Sequence, residues 1–400
     1  MAGIRTVEEL LAIVPDKYAI TVFGSEPYGN YNRIMLSSVL SGEKSIEDIV
    51  THDRRWYSDL DIVLHAGPEK AVIAIDRAAQ TVTAADGTRA EYDRLLIATG
   101  SRPVVPSIPG IKLDGVISFR DIFDVNTMIE YSRKHRHAVV MGGGLLGLEA
   151  ANGLLSRGMR VSVAHRKPVL LNRQMDAQAG KLLQQQLQER GLEFKVPGKV
   201  RALLGDARKH VRSVVFDDGS EKQCDLFITA IGIRPNLGLA KKAGLHCQRG
   251  IVVNDYLQTS DANIHAVGEC IQHRGKTFGL VAPLFEQARV CADYLSDSRT
   301  EDYRTLPTAT KLKVTGIDLF SVGNFSAEGQ CESIVFSDPL LGIYKKLVIQ
   351  ENNLIGAVLY GDTADGSWYH ELLTTEQDIS EMREFLIFGQ RYLTTAGAAS

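Results

Sequence analysis

His137-Ala138-Val139-Val140-Met141-Gly142-Gly143-Gly144-Leu145-Leu146-Gly147-Leu148-Glu149-Ala150-Ala151 reads as a buried strand, a glycine turn and the opening of a helix. Gly142, Gly144 and Gly147 fit G-x-G-x-x-G. The first glycine lets the chain turn tightly, the second lets backbone approach a pyrophosphate, and the third lets the helix pack close to the strand. The helix N-terminus adds free N–H groups and the positive end of a dipole. The pattern alone is weak. An apolar strand before it and an apolar helix after it favour a dinucleotide site over a bland tight turn. Leu145, Leu146 and Glu149 open that helix and belong to the same candidate site.

A chain of 400 residues is long for one core and predicts two or three domains. Hydrophobic residues make up 44% and charged residues 23%, and the net charge of −3 gives no electrostatic case for nucleic acid or an acidic membrane surface. No apolar run approaches the length of a membrane span, and Glu8, Glu9 and Asp16 interrupt any signal-peptide pattern. The cysteines, Cys224, Cys247, Cys270, Cys291 and Cys331, are scattered without a C-x-x-C. They signal neither a zinc site nor a thiol-redox pair, and read as buried thiols of a cytoplasmic protein.

Before the central motif, residues 1–11 form an amphipathic helix with no strand in front, and 18–23 form an apolar strand ending at Gly24-Ser25-Glu26. A helix followed by a strand ending in an acid is the second half of a nucleotide-binding βαβ unit. Glu26 lies 23 positions after Gly3, close to the spacing at which an acid takes ribose hydroxyls. Gly3 thus reads as the last glycine of a second G-x-G-x-x-G whose first strand is missing, and a misplaced start is the expected reason. The alternative is a surface helix beside an unrelated strand. Residues 28–37 are a polar loop entering a helix, in which Arg33 pairs with a phosphate or is a solvated cation. Residues 62–85 hold short alternating runs, with a hairpin at Asp86-Gly87. The strand over 92–97 ends in Ala98-Thr99-Gly100, small residues that leave room for a ligand at a strand's C-terminal end. Pro103, Pro106 and Pro109 mark a crossover.

After a helix over 121–135 and the central motif, residues 160–166 form the second strand of that unit. NAD sites often place an acid at this strand's end, but His165 and Arg166 stand here. Arg166 either accepts a 2′-phosphate or is a plain surface arginine. A glutamine-rich helix covers 176–190, and a hairpin turns at Asp218-Gly219. Residues 224–236, with Ala230-Ile231-Gly232, echo the 95–100 strand, suggesting two related nucleotide domains, one inserted in the other. The strand at 264–267 ends in Gly268-Glu269, where an acid suits a hydroxyl-rich ligand tail, and Pro283 fits the first turn of a helix. From 310 onward successive antiparallel strands and two short helices, 369–374 and 380–388, make a separate α+β domain, followed by a polar tail.

The order of these motifs resembles the two-dinucleotide-domain flavoprotein reductases, of the pyridine nucleotide-disulfide oxidoreductase type. Gly29-Asn30-Tyr31-Asn32-Arg33-Ile34-Met35-Leu36-Ser37, the stretch from Gly142 to Leu154, and Ala266-Val267-Gly268-Glu269-Cys270 look like the flavoprotein region of assimilatory NAD(P)H nitrite reductase large subunits and the similar electron-transfer subunit of assimilatory nitrate reductase. The resemblance implies a glutathione-reductase-like α/β fold with two Rossmann-like domains, the NAD domain inserted in the FAD domain, plus the C-terminal α+β domain. Its implied boundaries are 1–109 and 237–305 for FAD, 110–236 for NAD(P)H, 306–390 for the last domain and 391–400 for the tail.

It also implies that Gly3 and Glu26 hold the FAD diphosphate and adenosine ribose. Asn32, Arg33 and Ser37 lie along FAD, and Ala98, Thr99 and Gly100 pass close to it. Glu269 takes the ribityl hydroxyls beside Gly268, Ala282 and Pro283 sit near the isoalloxazine, and Gly232 belongs to the nucleotide-lining set. Hydride passes from nicotinamide to flavin, and electrons leave singly for an acceptor protein or domain with an iron–sulfur, sirohaem or molybdenum centre. No residue is expected as an acid–base catalyst, and no metal is expected in the chain. With no cysteine beyond Cys331, no iron–sulfur or sirohaem region is expected, and the chain alone is not expected to reduce nitrite. A thiol-dependent reductase is set aside because no cysteine precedes Cys224. A rubredoxin or ferredoxin reductase is the enzymatic alternative, and a nucleotide-binding protein without FAD the non-enzymatic one.

Overall fold

The computed structural model describes residues 1–298, 301–305, 307–314, 316–326 and 329–392. The tail expected over 391–400 lies outside the described residues apart from Arg391 and Tyr392. No helix among those described is long and apolar enough to cross a membrane.

The stretch around the glycine loop builds the centre of a five-stranded parallel sheet. Its order is Val116–Ser118, Leu226–Thr229, His137–Met141, Arg160–Ala164 and Glu193–Lys195. Ala138, Val139 and Val140 are buried on both faces: Ala138 and Val140 pack among the helices, and Val139 packs against the antiparallel strands Val200–Gly205 and Val211–Phe216. Helix Leu145–Ser156 follows the loop with Gly144 as its N-cap, and helix Ala177–Glu189 follows with Asp176 as its cap. The Asp176 carboxylate accepts the Ala179 N–H at 3.0 Å, the ordinary way to satisfy an orphan donor.

The other nucleotide-like unit is assembled from both sides of this insertion. Strand Thr21–Gly24 pairs in parallel with Val63–Ala66, and Leu95–Ile97 pairs in parallel with Ile264–Ala266. The two pairs are separate two-stranded sheets. Residues 63–66 therefore leave the group of alternating runs in which the sequence places them. Only the following runs, Val72–Asp76, Thr81–Ala84 and Arg89–Glu91, form the antiparallel ribbon. Helix Ala2–Ile13 packs along helix Val281–Leu295, with the Arg5 guanidinium 5.8 Å from the Phe285 ring centre.

An antiparallel ribbon, Ser101–Pro103 with Ile233–Pro235, carries the chain between the units. The echoing segments also meet there: the Asn236 amide donates to the Thr99 carbonyl at 2.8 Å, and the Thr99 hydroxyl donates to the Asn236 carbonyl at 3.2 Å. The C-terminal part is a five-stranded antiparallel sheet, ordered Thr310–Val314, Ile317–Gly323, Asn353–Tyr360, Ile343–Gln350 and Glu332–Asp338, with helix Gly366–Thr374 against it. The helix expected over 380–388 is instead two short 3-10 turns, Ser380–Met382 and Leu386–Phe388. The Leu386 carbonyl accepts the Tyr369 hydroxyl at 2.7 Å, and Gly389 at a φ of 95° ends the second turn. The sheet docks on helix Ala177–Glu189 and its cap: the Tyr344 hydroxyl donates to Asp176 at 2.6 Å, and Tyr360 bonds Gln186.

Candidate functional site

The glycine loop is shaped by contacts that a side chain would destroy. Gly142 has a φ of 135°, in the region that favours glycine, and a Cβ there would sit 2.7 Å from the Ala230 carbonyl carbon. A Cβ on Gly147 would sit 2.9 Å from the Gly142 carbonyl carbon, so the helix opening lies directly on the turn. A Cβ on Gly144 would meet nothing within 4 Å, so the loop faces open space there. This is a backbone surface at a helix N-terminus with room in front of it, which fits a pyrophosphate. Leu145 and Leu146 form the first turn. Gly232, at a φ of 120°, ends the neighbouring segment.

At the end of strand Arg160–Ala164, His165 turns back on the loop. Its Nδ1 accepts the Gly143 N–H at 3.1 Å, and burial holds its pKa below the ordinary histidine value, so the ring is neutral at physiological pH. Arg166 is exposed beside it.

The other unit gathers its acids into one polar chain. Glu26 accepts the Tyr31 hydroxyl at 2.6 Å and pairs with Arg33, whose guanidinium lies 4.7 Å from the Tyr31 ring centre. Arg33 also donates to the Arg120 carbonyl at 3.3 Å. Arg120 in turn pairs with Glu269, which accepts the Ser101 hydroxyl at 2.7 Å. Arg33 is thus half-buried in an ion pair rather than a free surface cation. Gly3, on the helix entering this cluster, is tight against Ala98: a Cβ on Gly3 would lie 2.8 Å from the Ala98 Cβ.

Asn32 acts locally, accepting the Ile34 N–H at 3.1 Å. Gly268, at a φ of 91°, donates its N–H to the buried Gln287 side chain at 2.9 Å. Ala282 and Pro283 lie in the first turn of helix Val281–Leu295.

Helix Leu36–Ser41 joins the two units. It lies against helix Leu145–Ser156, where a Cβ on Gly153 would come 2.7 Å from Leu40 Cγ, and Arg157 donates to the Val39 carbonyl at 3.0 Å. This docking sets Ser37 beside Glu149, whose carboxyl is pushed by burial up to about 7, while the Ser37 hydroxyl donates to the Ile34 carbonyl at 3.3 Å. Sequence reasoning missed Arg120, Ser101, Tyr31, Asn236 and Gln287 as members of the site. Asn236, at the end of an echoed segment, and Tyr31, inside the 29–37 stretch and five residues from Glu26, carried a signal; Arg120, Ser101 and Gln287 join through contacts distant in sequence.

None of the cysteines is paired, and Cys224, Cys270 and Cys291 are buried. Burial pushes the Cys224 thiol up to about 12 and Cys270 up to about 11. Such thiols are inert toward disulfide exchange at neutral pH.

Comparison with known proteins matches the C-terminal part separately from the rest. Residues 1–292 match the family model of pyridine nucleotide-disulphide oxidoreductases. The chain belongs to that family. Residues 308–377 match the rubredoxin NAD+ reductase C-terminal domain. Among curated relatives, the nitrite reductase [NAD(P)H] of Bacillus subtilis is 44% identical over 387 residues, covering 97% of this chain and 48% of the relative. The assimilatory nitrate reductase electron transfer subunit of the same organism is 41% identical, covering 97% of this chain and 50% of the relative. The chain thus spans about half the length of these relatives. Among solved structures, the ferredoxin reductase for the CYP199A2 system from Rhodopseudomonas palustris superposes with a TM-score of 0.86 at 23% identity, over 94% of this chain and 93% of that one. The family binds FAD and NAD(P)H, and its members are oxidoreductases.

Proposed function

We propose that this chain takes electrons from NAD(P)H through FAD and delivers them to a redox protein or metal centre in nitrite or nitrate assimilation. The observation that carries this reading is the junction: helix Leu36–Ser41 of one nucleotide unit seated on the helix that follows the glycine loop of the other, with Leu40 against Gly153 and Arg157 on the Val39 carbonyl. Hydride transfer needs two rings held face to face, and a junction of this kind positions the two sites. FAD held in the first unit supplies the conversion of a two-electron hydride donor into single-electron release.

The residues present fit these groups. Gly142, Gly144, Leu145, Leu146 and Gly147 would take the pyrophosphate of NAD(P)H, with Glu149, His165, Arg166 and Gly232 around it. Gly3, Glu26, Asn32, Arg33, Ser37, Ala98, Thr99, Gly100, Gly268, Glu269, Ala282 and Pro283 would hold FAD. In that arrangement residues 1–109 and 237–305 form the FAD unit, 110–236 the NAD(P)H unit and 306–390 the last domain. The protein's part is positioning: the Glu26–Arg33–Arg120–Glu269 chain locks the acids, and Gly147 sets the distance from loop to helix. The cytoplasm, where NAD(P)H is supplied, is the setting we assign.

The relatives, named as a nitrite reductase and as an electron transfer subunit of assimilatory nitrate reductase, support delivery of electrons to an acceptor in nitrite or nitrate assimilation. The match of residues 308–377 favours a second reading, a reductase for rubredoxin-like proteins. The test loads the chain with FAD, supplies NADPH or NADH anaerobically, and offers separately a rubredoxin and the iron–sulfur and sirohaem half of a nitrite reductase. Reduction of the sirohaem half supports the first reading, and reduction of rubredoxin alone supports the second. A flavin that is reduced but passes electrons to neither contradicts both.

A further inference from the structure

Strand Arg160–Ala164 ends where a dinucleotide fold presents the group that meets the adenosine ribose. A carboxylate there binds the 2′-hydroxyl of NADH, and an arginine accommodates the 2′-phosphate of NADPH. His165, the first residue beyond the strand, does neither. Its Nδ1 is engaged by the Gly143 N–H at 3.1 Å, and burial keeps it neutral. The segment from 165 to 175 then carries Arg166, Lys167 and Arg173 and no carboxylate. All three cations are exposed, and among the described residues none forms an ion pair.

The nearby acids are committed elsewhere. Asp176 caps its helix, accepts the Tyr344 hydroxyl at 2.6 Å and lies 3.6 Å from the Lys346 ammonium. Glu193, on the adjacent strand, accepts the Ser162 hydroxyl at 2.9 Å and pairs with Lys222. The loop's own cations therefore face solvent without an ion-pair partner among the described residues, beside a glycine loop with open space in front of Gly144.

We propose that this loop selects NADPH, with Arg166 and Lys167 taking its 2′-phosphate. The inference rests on the reading of the second glycine loop as the NAD(P)H site and names the form that it prefers. Arg166 offers a planar fork of donors to phosphate oxygens, and Lys167 offers a compact charge beside it. The neutral His165 adds no repulsion toward the phosphate, as a carboxylate would. Arg173 adds to the local positive field.

The test is isothermal titration of the full chain with 2′,5′-ADP and, separately, with 5′-ADP. These probes differ only in the 2′-phosphate and need no flavin. The expected result is tighter binding of 2′,5′-ADP by roughly tenfold or more, the scale of one charge-assisted hydrogen bond. Added salt should narrow the gap. Arg166→Ala and Lys167→Ala should each bring the 2′,5′-ADP affinity toward that of 5′-ADP. Both side chains are exposed, so thermal unfolding of the variants should match the parent and certify the fold. Equal affinity for the two probes, or a preference untouched by either variant, overturns the selectivity while leaving the nucleotide site intact. Binding of neither probe overturns the nucleotide site itself, and this inference with it.

Discussion

Replacing Gly147 with alanine should separate what the fold needs from what the nucleotide needs. A methyl at Gly147 would stand 2.9 Å from the Gly142 carbonyl carbon and closer still to its oxygen. Ordinary carbon contacts begin at ~3.5 Å, so the helix opening must retreat from the turn by roughly 1 Å. Overpacking of this kind costs about 1–3 kcal/mol, and the displaced atoms are the N–H groups proposed for the pyrophosphate. A 1 Å misplacement of a positioning group costs on the order of a hundredfold in rate. Gly147→Ala should therefore lose both stability, read by urea midpoint, and NAD(P)H affinity, read by quenching of nucleotide fluorescence. Gly144→Ala is the counterpart. Its backbone, at a φ of −88°, suits alanine, and its methyl meets nothing within 4 Å. It should leave the urea midpoint unchanged yet weaken nucleotide binding, because the methyl fills space that the phosphates approach. A Gly144→Ala protein that binds NAD(P)H normally would refute the placement of the pyrophosphate. A Gly147→Ala protein of parental stability and affinity would refute the packing argument.

Glu149 should make stability fall with rising pH. Its carboxyl is raised from 4.5 to about 7, chiefly by burial. The folded state holds a proton there that the unfolded chain has released, so the contribution is full below the unfolded value and lost as pH rises through about 7. Its size is at most about 3 kcal/mol, and Glu149→Gln should remove that slope in denaturant midpoints; an unchanged slope contradicts the assignment. Arg120→Met should strip Glu269 of its ion-pair partner and cost about 1–3 kcal/mol, with much of the loss recovered in Arg120→Met/Glu269→Gln. A double variant as unstable as the sum of the single ones would deny the coupling. A thiol reagent should label Cys247 and Cys331 quickly in the native chain and all the cysteines after unfolding; rapid native labelling of Cys224, Cys270 or Cys291 would contradict their burial.

What was legible in the sequence was local. The strand, glycines and helix from His137 to Ala151 announce themselves because the turn, the close approach and the helix opening all fall within fifteen consecutive positions. The alternation after residue 310 similarly exposes an antiparallel sheet whose strands follow one another. The parallel pairing of Thr21–Gly24 with Val63–Ala66 was hidden, since a parallel partner need not be adjacent and the later strand also alternates. The 3-10 turns at 380–388 were hidden because what shapes them is distant or local detail: the Tyr369 hydroxyl on the Leu386 carbonyl, and Gly389 at a positive φ after the second turn. In the site, Gly3, Glu26 and Glu269 stood out by motif position, but their joining through Arg33 and Arg120 depends on side chains far apart in sequence. Ser37 and Glu149 were each assigned to a nucleotide, and only the docking of their helices brings them together.

We propose that the two units hold FAD and NAD(P)H for hydride transfer. Anaerobic titration of the FAD-loaded chain with NADPH, followed by visible absorption, tests it most directly. The oxidised flavin bands should bleach stoichiometrically with NADPH, and Gly144→Ala loaded with the same flavin should bleach only at higher nucleotide concentration. Flavin bands that persist in excess NADPH and excess NADH, in a chain shown to bind both groups, would contradict it.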